Sequence, residues 1–181
     1  MAELPPDRER EDAGPENLVV LRDGIPPCPS VLAPHDEVPV AIWRDGDRAH
    51  VLWLYNEPDA WDPEDDIRFG QDLDAFRLVD GVWKDYGGGG SSWPWEYGER
   101  PDSGGPQFSG FSLGPVPADG DDPRFVMTGI APRRARRVGV RVGGYEAEAE
   151  VEPVTGAFVI GVRVPINEFL NLSDDILRIV Q

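Results

Sequence analysis

Side chains alternate between apolar and polar residues along one stretch near the end of the chain, "RVGVRVGGYEAEAEVEPVTGAFVIGVRV", residues 137–164. A period of two is typical of strands with one buried face and one solvent face. Two turn signals, Gly143-Gly144 and the four residues 153–156, divide the stretch. The pattern therefore predicts three consecutive antiparallel strands.

The charges in this stretch predict one register. The first turn places Arg141 opposite Glu146, and the second turn places Ile160 opposite Ala149. Arg163 would then lie on the other side of Glu146, so this glutamate would be flanked by two arginines. Opposite charges on neighbouring strands favour such a register because a slip by one residue would turn every apolar side chain outwards.

Two Asp-Gly pairs divide further β-rich runs in the first half, "VPVAIWRDGDRAHVLWLY" and "AFRLVDGVWKDY". Asp-Gly accepts the positive φ of a tight hairpin turn. The first run predicts a hairpin with Ile42 opposite Ala49, and the second predicts a hairpin with Leu78 opposite Trp83.

These signals predict a mainly β fold with little helix, in which an antiparallel meander of hairpins is followed by an Ig-like β-sandwich or half-sandwich. Residues 1–17 are predicted to be a disordered acidic tail. Residues 18–122 are predicted to form an N-terminal β-hairpin domain with a Gly/Pro-rich loop, irregular over 91–122. Residues 123–181 are predicted to form a C-terminal Ig-like antiparallel sheet, and "ILRIVQ" at 176–181 is expected to be a strand rather than a short helix.

The chain carries a formal net charge of −17. Residues 1–122 contribute −18 and residues 123–181 contribute +1. Such acidity repels nucleic acid and anionic lipid, and it is typical of a soluble or salt-tolerant surface, which is the interpretation we favour, or of a surface that binds a basic partner. The partner is expected to be another protein. No apolar run could span a membrane, residues 1–16 lack the apolar region of a signal peptide, and the single Cys28 indicates a cytoplasmic protein.

Catalytic and metal-binding patterns are absent from the sequence. The chain has two histidines, His35 and His50, and one cysteine, but it contains no Gly-x-Ser-x-Gly elbow and no zinc-ligand spacing. His50 falls among apolar strand residues, so we expect it to be structural. We predict no catalytic residue, no metal ligands and no cofactor.

The stretch "DYGGGGSSWPWE", residues 85–96, combines four glycines with two tryptophans. A phosphate-binding loop would need a helix and a Lys or Ser/Thr in register after the glycines, and none follows. We predict a loop held by aromatic anchors. Two segments supply the remaining candidates for a binding site. The stretch 85–96 supplies Trp93 and Trp95, and a predicted acidic loop before it supplies Trp61, Asp62, Glu64, Asp65 and Asp66. Whether the acidic loops bind calcium stays open.

The segments "YNEPDAW", "FRLVDGVWKDYGGGGSSW" and "RRVGVRVGGYEAEAEVEPVTGAFVIGVRVP" together resemble a family of small β-rich proteins from high-GC bacteria that has no assigned activity. The segment "GVRVGGYEAEAEVEPVTGAFVI" also resembles the strand-turn-strand of carboxypeptidase-regulatory and transthyretin-like sandwiches. The second resemblance implies an Ig-like fold and a non-catalytic role.

We therefore expect a soluble, non-enzymatic binding or accessory protein whose partner is unknown. One alternative is an acidic inhibitor or immunity protein that neutralises a basic partner. Another is a carbohydrate or small-molecule binder that uses the loop tryptophans. The sequence leaves the ligand, the pathway and the oligomeric state open.

Overall fold

The computed structural model describes residues 9–57, 69–102, 104–113, 124–142, 144–164 and 177–178. These residues form one helix and ten strands, which are α1 (Pro15–Asp23), β1 (Glu37–Asp45), β2 (Arg48–Asn56), β3 (Phe69–Val79), β4 (Val82–Trp93), β5 (Gln107–Leu113), β6 (Arg124–Ile130), β7 (Arg137–Val142), β8 (Tyr145–Glu150), β9 (Ala157–Arg163) and β10 (Leu177–Arg178). The predicted mainly β class is confirmed.

The strands form three antiparallel sheets, which we call the first, middle and third sheets. The first sheet has the order β1-β2-β3-β4, the middle sheet β5-β6-β9 and the third sheet β10-β7-β8. Apolar side chains between the first and middle sheets form one core, and those between the middle and third sheets form another. Helix α1 packs on the outer face of the first sheet, which is the face turned away from the middle sheet.

The core between the first and middle sheets joins both halves of the chain. Leu52, Leu54 and Trp93 from the first sheet pack with Val126 and Val159 from the middle sheet. The predicted boundary near residue 122 therefore does not divide this core.

The first Asp-Gly hairpin forms, but its predicted register is wrong. Asp45 pairs with Arg48 and Ile42 pairs with Val51, so the two loop residues are Gly46 and Asp47. Gly46 has a φ of 60°, whereas Asp47 has no positive φ. A positive φ at the first loop position alone, where glycine is favoured, is typical of a type II′ turn. The prediction had placed Asp45 at that position.

The second Asp-Gly hairpin has the predicted register. Leu78 pairs with Trp83 across a loop of Asp80 and Gly81. Both loop residues have positive φ, 52° and 85°, as a type I′ turn requires.

The three predicted C-terminal strands do not form one sheet. Strands β7 and β8 pair as predicted, with Arg141 opposite Glu146, but β9 pairs with β6 of the middle sheet. The expected neighbours Ile160 and Ala149 instead face each other across the core between two sheets. The reason is that "AFVIGV" is buried on both faces, as in the central layer of a sandwich, whereas β8 alternates.

Arg163 consequently does not lie beside Glu146, as the predicted register required. Its Nη2 lies 3.4 Å from Oδ2 of Asp45 on β1. Of the predicted strand at 176–181, the structure describes residues 177–178, which form β10, and Leu177 pairs with Val140. Whether the C-terminal part is Ig-like stays a prediction.

The predicted disorder of residues 1–17 is wrong for residues 11–17. The Ala13 amide donates to the Trp83 carbonyl (2.9 Å), and the Asp85 amide donates to the Glu11 carbonyl (2.9 Å). Ala13 is buried, and α1 begins at Pro15, where a missing N–H costs nothing. Val20 and Leu21 of α1 then cover Trp53 and Phe76 on the outer face of the first sheet.

A buried polar group connects the first and middle sheets. Gln71 Nε2 donates to Ser91 Oγ (2.8 Å) within the first sheet and to the Ser109 carbonyl (3.2 Å) of the middle sheet. Ser109 Oγ in turn donates to Gln71 Oε1 (2.9 Å). These bonds fix how the two sheets are aligned, since a buried amide is costly unless it is paired.

Helix α1 has nine residues, which is too short to cross a bilayer. Within the described ranges no helix has the length and apolar character of a membrane span.

Candidate functional site

The half of the outer face that α1 leaves uncovered carries carboxylates. Glu37 on β1 pairs with Tyr55 on β2, and Asp72 and Asp74 lie on the next strand, β3. Glu57 follows directly after β2. We call Glu37, Tyr55, Glu57, Asp72 and Asp74 the acidic face.

Helix α1 sets the border of the acidic face through Asn17. The Asn17 side chain donates to Asp74 Oδ2 (3.3 Å) and accepts a hydrogen bond from Trp53 Nε1 (3.0 Å). Helix α1 therefore covers the outer face of the first sheet as far as Asp74.

The glycine run lies beneath the acidic face as part of strand β4. Gly88 pairs with Asp74 and Gly90 pairs with Asp72. A Cβ added to Gly88 would lie 2.5 Å from Asp74 Oδ1, and a Cβ added to Gly90 would overlap Asp72 Oδ1. The predicted loop is therefore wrong. These two positions are glycine because the neighbouring carboxylates lie over their backbone.

The carboxylates of the acidic face repel one another. Burial raises the pKa of Glu37, and the charges of Asp72 and Asp74 raise it further. Burial also raises the pKa of Asp72, with a further contribution from Glu57. The pKa of Asp74 is raised by burial against the opposing hydrogen bond from Asn17. No arginine or lysine in the described ranges contributes to these three shifts.

A depression of about 250 Å³ opens in the acidic face. It is lined by His35, Asp36, Glu37, Tyr55, Glu57 and Asp72. Carboxylates that converge on one space are acceptors for a guanidinium or ammonium group, which donates several hydrogen bonds at once. The depression is therefore suited chemically to a cationic side chain. Within the described ranges, no three His, Cys, Asp or Glu side chains could hold a metal ion.

The tryptophans predicted as a binding platform are largely internal. Trp93 is 2% exposed and packs edge-to-face on Trp95, with 4.7 Å between the ring centroids. Trp95 is partly buried, and its Nε1 donates to Gln107 Oε1 (3.0 Å). Trp93 thus offers no free face to a sugar, although its predicted role as an aromatic anchor agrees with its burial. The other predicted candidates, Trp61, Asp62, Glu64, Asp65 and Asp66, lie outside the described residues.

The residues considered for catalysis lie in three different environments. His50 on β2 is 2% exposed, and burial, with the Arg48 charge, lowers its pKa to about 4. Within the described ranges its Nδ1 is buried without a hydrogen-bond partner. Burial and the nearby Glu152 raise the pKa of Cys28 to about 12, so the thiol stays protonated at neutral pH. His35 lines the depression of the acidic face.

Comparison of the chain with protein-family models, with curated proteins and with solved structures found no match. The resemblances noted from the sequence therefore stay predictions.

Sequence reasoning missed the acidic face. The signal was present in "GQDLDAF", where Asp72 and Asp74 alternate with Gln71, Leu73 and Ala75. This alternation predicts a strand with one charged face, but the hairpin predicted from "AFRLVDGVWKDY" begins at Ala75 and leaves both acids out.

Proposed function

We propose that this protein is a non-catalytic binding protein that recognises a basic partner protein through the acidic face. A lysine or arginine of the partner enters the depression and donates hydrogen bonds to the surrounding carboxylates. This combines the binding role expected from the sequence with the alternative of an acidic inhibitor or immunity protein.

The observation that supports the proposal most strongly is the set of raised carboxyl pKa values. Burial raises the pKa of Glu37, Asp72 and Asp74, and the charge of at least one neighbouring carboxylate raises each pKa further. Such an arrangement destabilises the free protein at neutral pH, and a bound cation offsets that cost. A surface retained at the expense of stability is typical of a site selected for function.

The distribution of charge along the chain supports the same partner class. Residues 1–122 carry the net −18, and an acidic segment that contains Asp62 and Glu64 follows Glu57 in sequence. A concentrated negative field accelerates encounter with a cationic partner and makes the association sensitive to salt.

The proposal includes a cytoplasmic location. The single cysteine supports it, since a chain with one cysteine has no internal disulfide to maintain in an oxidising compartment. The protonated thiol of Cys28 supports a non-catalytic role, because a nucleophilic cysteine requires the thiolate.

The test uses an octa-arginine peptide as probe and isothermal titration calorimetry as readout. The face variant carries Glu37→Gln, Asp72→Asn and Asp74→Asn. The control variant carries Glu96→Gln, Glu99→Gln and Asp102→Asn, which remove the same number of charges from exposed positions after β4. Both variants have the same net charge, so long-range attraction falls equally in both.

We expect the face variant to bind the probe at least about tenfold more weakly than the control variant, since several charge-assisted hydrogen bonds are lost. Binding of the parent protein should weaken steeply with added salt. Equal affinities of the two variants would refute the acidic face as the binding site, and affinity indifferent to salt would refute the electrostatic basis.

A further inference from the structure

A second surface of the molecule is a largely apolar groove of about 550 Å³ beside strand β8. One wall is β8 and the residues after it, and the other wall is β1 with the segment 25–27. Val159 of the middle sheet and Trp43 of β1 also line the groove. It is separate from the acidic face, which lies on the outer face of the first sheet.

Strand β8 turns one backbone edge, which pairs with no described strand, towards this groove. It is the last strand of the third sheet, and no described strand pairs with its free side. The Val151 amide donates to the Arg136 carbonyl (3.0 Å), so Val151 and every second residue before it direct their backbone groups towards β7. Because bonding alternates along an antiparallel strand, Glu146, Glu148 and Glu150 direct their N–H and C=O groups towards the open edge.

The side chains along this edge also alternate. Glu146, Glu148 and Glu150 are exposed on the solvent face, whereas Ala147 and Ala149 point towards the core between the sheets. A strand added at the edge would therefore place one set of side chains beside glutamates and the other set towards the apolar groove.

The described ion pairs of these glutamates are with arginines of β7. Arg44 of β1 lines the opposite wall of the groove, but its guanidinium donates to the Val20 and Leu21 carbonyls. On the β7 side, Arg141 pairs with Glu146, and Arg137 lies 3.8 Å from Glu148 and 3.9 Å from Glu150. Arg163, which the sequence placed on the open side of Glu146, contacts Asp45 instead. A basic strand would complete the charge alternation across the sheet.

A second copy of this strand does not fit the edge. Pairing β8 with another β8 would bring glutamates beside glutamates, and like charges on adjacent strands are destabilising. Charged edge strands of this kind protect a sheet against self-association, yet they admit a strand of opposite charge.

We propose that the open edge of β8 binds an extended segment of a partner protein in which basic and apolar residues alternate. The segment adds as a fourth strand to the third sheet. Its backbone pairs with Glu146, Glu148 and Glu150, its basic side chains lie beside these glutamates, and its apolar side chains enter the groove towards Trp43 and Val159. Main-chain bonds supply affinity and the alternating side chains supply specificity.

The first experiment measures binding of the peptide acetyl-Arg-Val-Arg-Val-Arg-Val-amide to the full chain by calorimetry. Two further peptides of this sequence are N-methylated, one at the arginine amides and the other at the valine amides. Strand addition uses one alternating set of amides, so one methylated peptide should bind at least about tenfold more weakly while the other stays within about twofold of the parent peptide. Failure of the parent peptide to bind, or equal loss with both methylated peptides, would overturn the proposal.

The second experiment places the peptide on β8 through paired variants. Glu148→Gln with Glu150→Gln should weaken binding about fivefold, since two exposed ion pairs are lost. The control Glu96→Gln with Glu99→Gln removes the same charge elsewhere and should weaken binding less than about twofold, through long-range attraction alone. Equal weakening in the two variants, or equal binding of a peptide with glutamate in place of arginine, would show that β8 is not the site.

Discussion

Arg100 provides the sharpest test of how the three sheets are held together. It lies in the Gly/Pro-rich connection between β4 and β5 and is 8% exposed. Its guanidinium donates to four carbonyl oxygens, those of Ala131 (3.2 Å), Pro132 (2.7 Å), Ala135 (3.1 Å) and Pro153 (3.0 Å). One side chain thereby joins the β6–β7 loop to the β8–β9 loop.

Substitution of Arg100 by methionine keeps the aliphatic stem but removes all four bonds. Ala131 and Ala135 are 0% and 4% exposed, so water does not readily replace the donor at those two carbonyls. A buried acceptor left unpaired costs about 1–3 kcal/mol, which gives a loss of about 4 kcal/mol in the free energy of unfolding for the two. Arg100→Lys should lose about half as much, because an ammonium group has three donors and cannot span both loops.

The assay is guanidinium denaturation followed by tryptophan fluorescence at pH 7. The matched control is Arg133→Met, since Arg133 is exposed and its ion pair with Asp102 is with another exposed side chain. We expect the control to lose less than about 1 kcal/mol. If Arg100→Met is no more destabilising than Arg133→Met, the reasoning from buried carbonyls is wrong.

Three other changes test separate parts of the structure. The variant with Glu37→Gln, Asp72→Asn and Asp74→Asn should melt about 2–4 °C above the parent at pH 7 by calorimetry if it relieves about 1 kcal/mol of repulsion. Because these carboxyl pKa values are higher in the folded than in the unfolded state, the folded parent binds more protons and gains stability as the pH falls. The difference in melting temperature between variant and parent should therefore shrink on acidification. A difference that grows would contradict this. Because the pKa of His50 falls from 6.5 to about 4 on folding, the unfolded chain binds a proton that the folded protein does not, and stability falls as the pH drops through that window. By pH 4 the parent should lose about 3 kcal/mol more than His50→Gln in urea denaturation curves, and parallel pH profiles would be inconsistent with a neutral buried histidine. Gln71→Leu should lose about 2 kcal/mol in the same assay because Ser109 loses both of its hydrogen bonds to the Gln71 amide and keeps the one to Thr128, and a neutral result would mean that the two sheets do not depend on this amide.

Local pattern was sufficient to predict the register of two hairpins. Alternation and charge fixed the pairing of Arg141 with Glu146, and the Asp-Gly turn fixed the pairing of Leu78 with Trp83. The first hairpin was misregistered because Asp-Gly-Asp offers two positions for the turn. Gly46 has a positive φ in either turn, and it is the absence of a positive φ at Asp45 that distinguishes them.

Non-local pairing was beyond the sequence argument. Arg163 matches Glu146 and Asp45 equally well in charge, so complementarity could not select between them. The choice depends on burial of β9 on both faces, where Gly161 accommodates the ring of Trp43. We predicted a loop for the glycine run because glycine has low β-propensity. The reason for glycine at Gly88 and Gly90 lies on the neighbouring strand, in the side chains of Asp74 and Asp72.

The most direct test of the proposed binding role is to map contacts of octa-arginine on the isotope-labelled protein by amide chemical-shift perturbation in NMR spectra. We predict that the largest shifts occur at Glu37, Asp72, Gly88 and Gly90, which form the acidic face and the strand beneath it. Shifts confined to exposed acids elsewhere, such as Glu96 and Glu99, or spread evenly over the surface, would contradict a defined site for a basic partner.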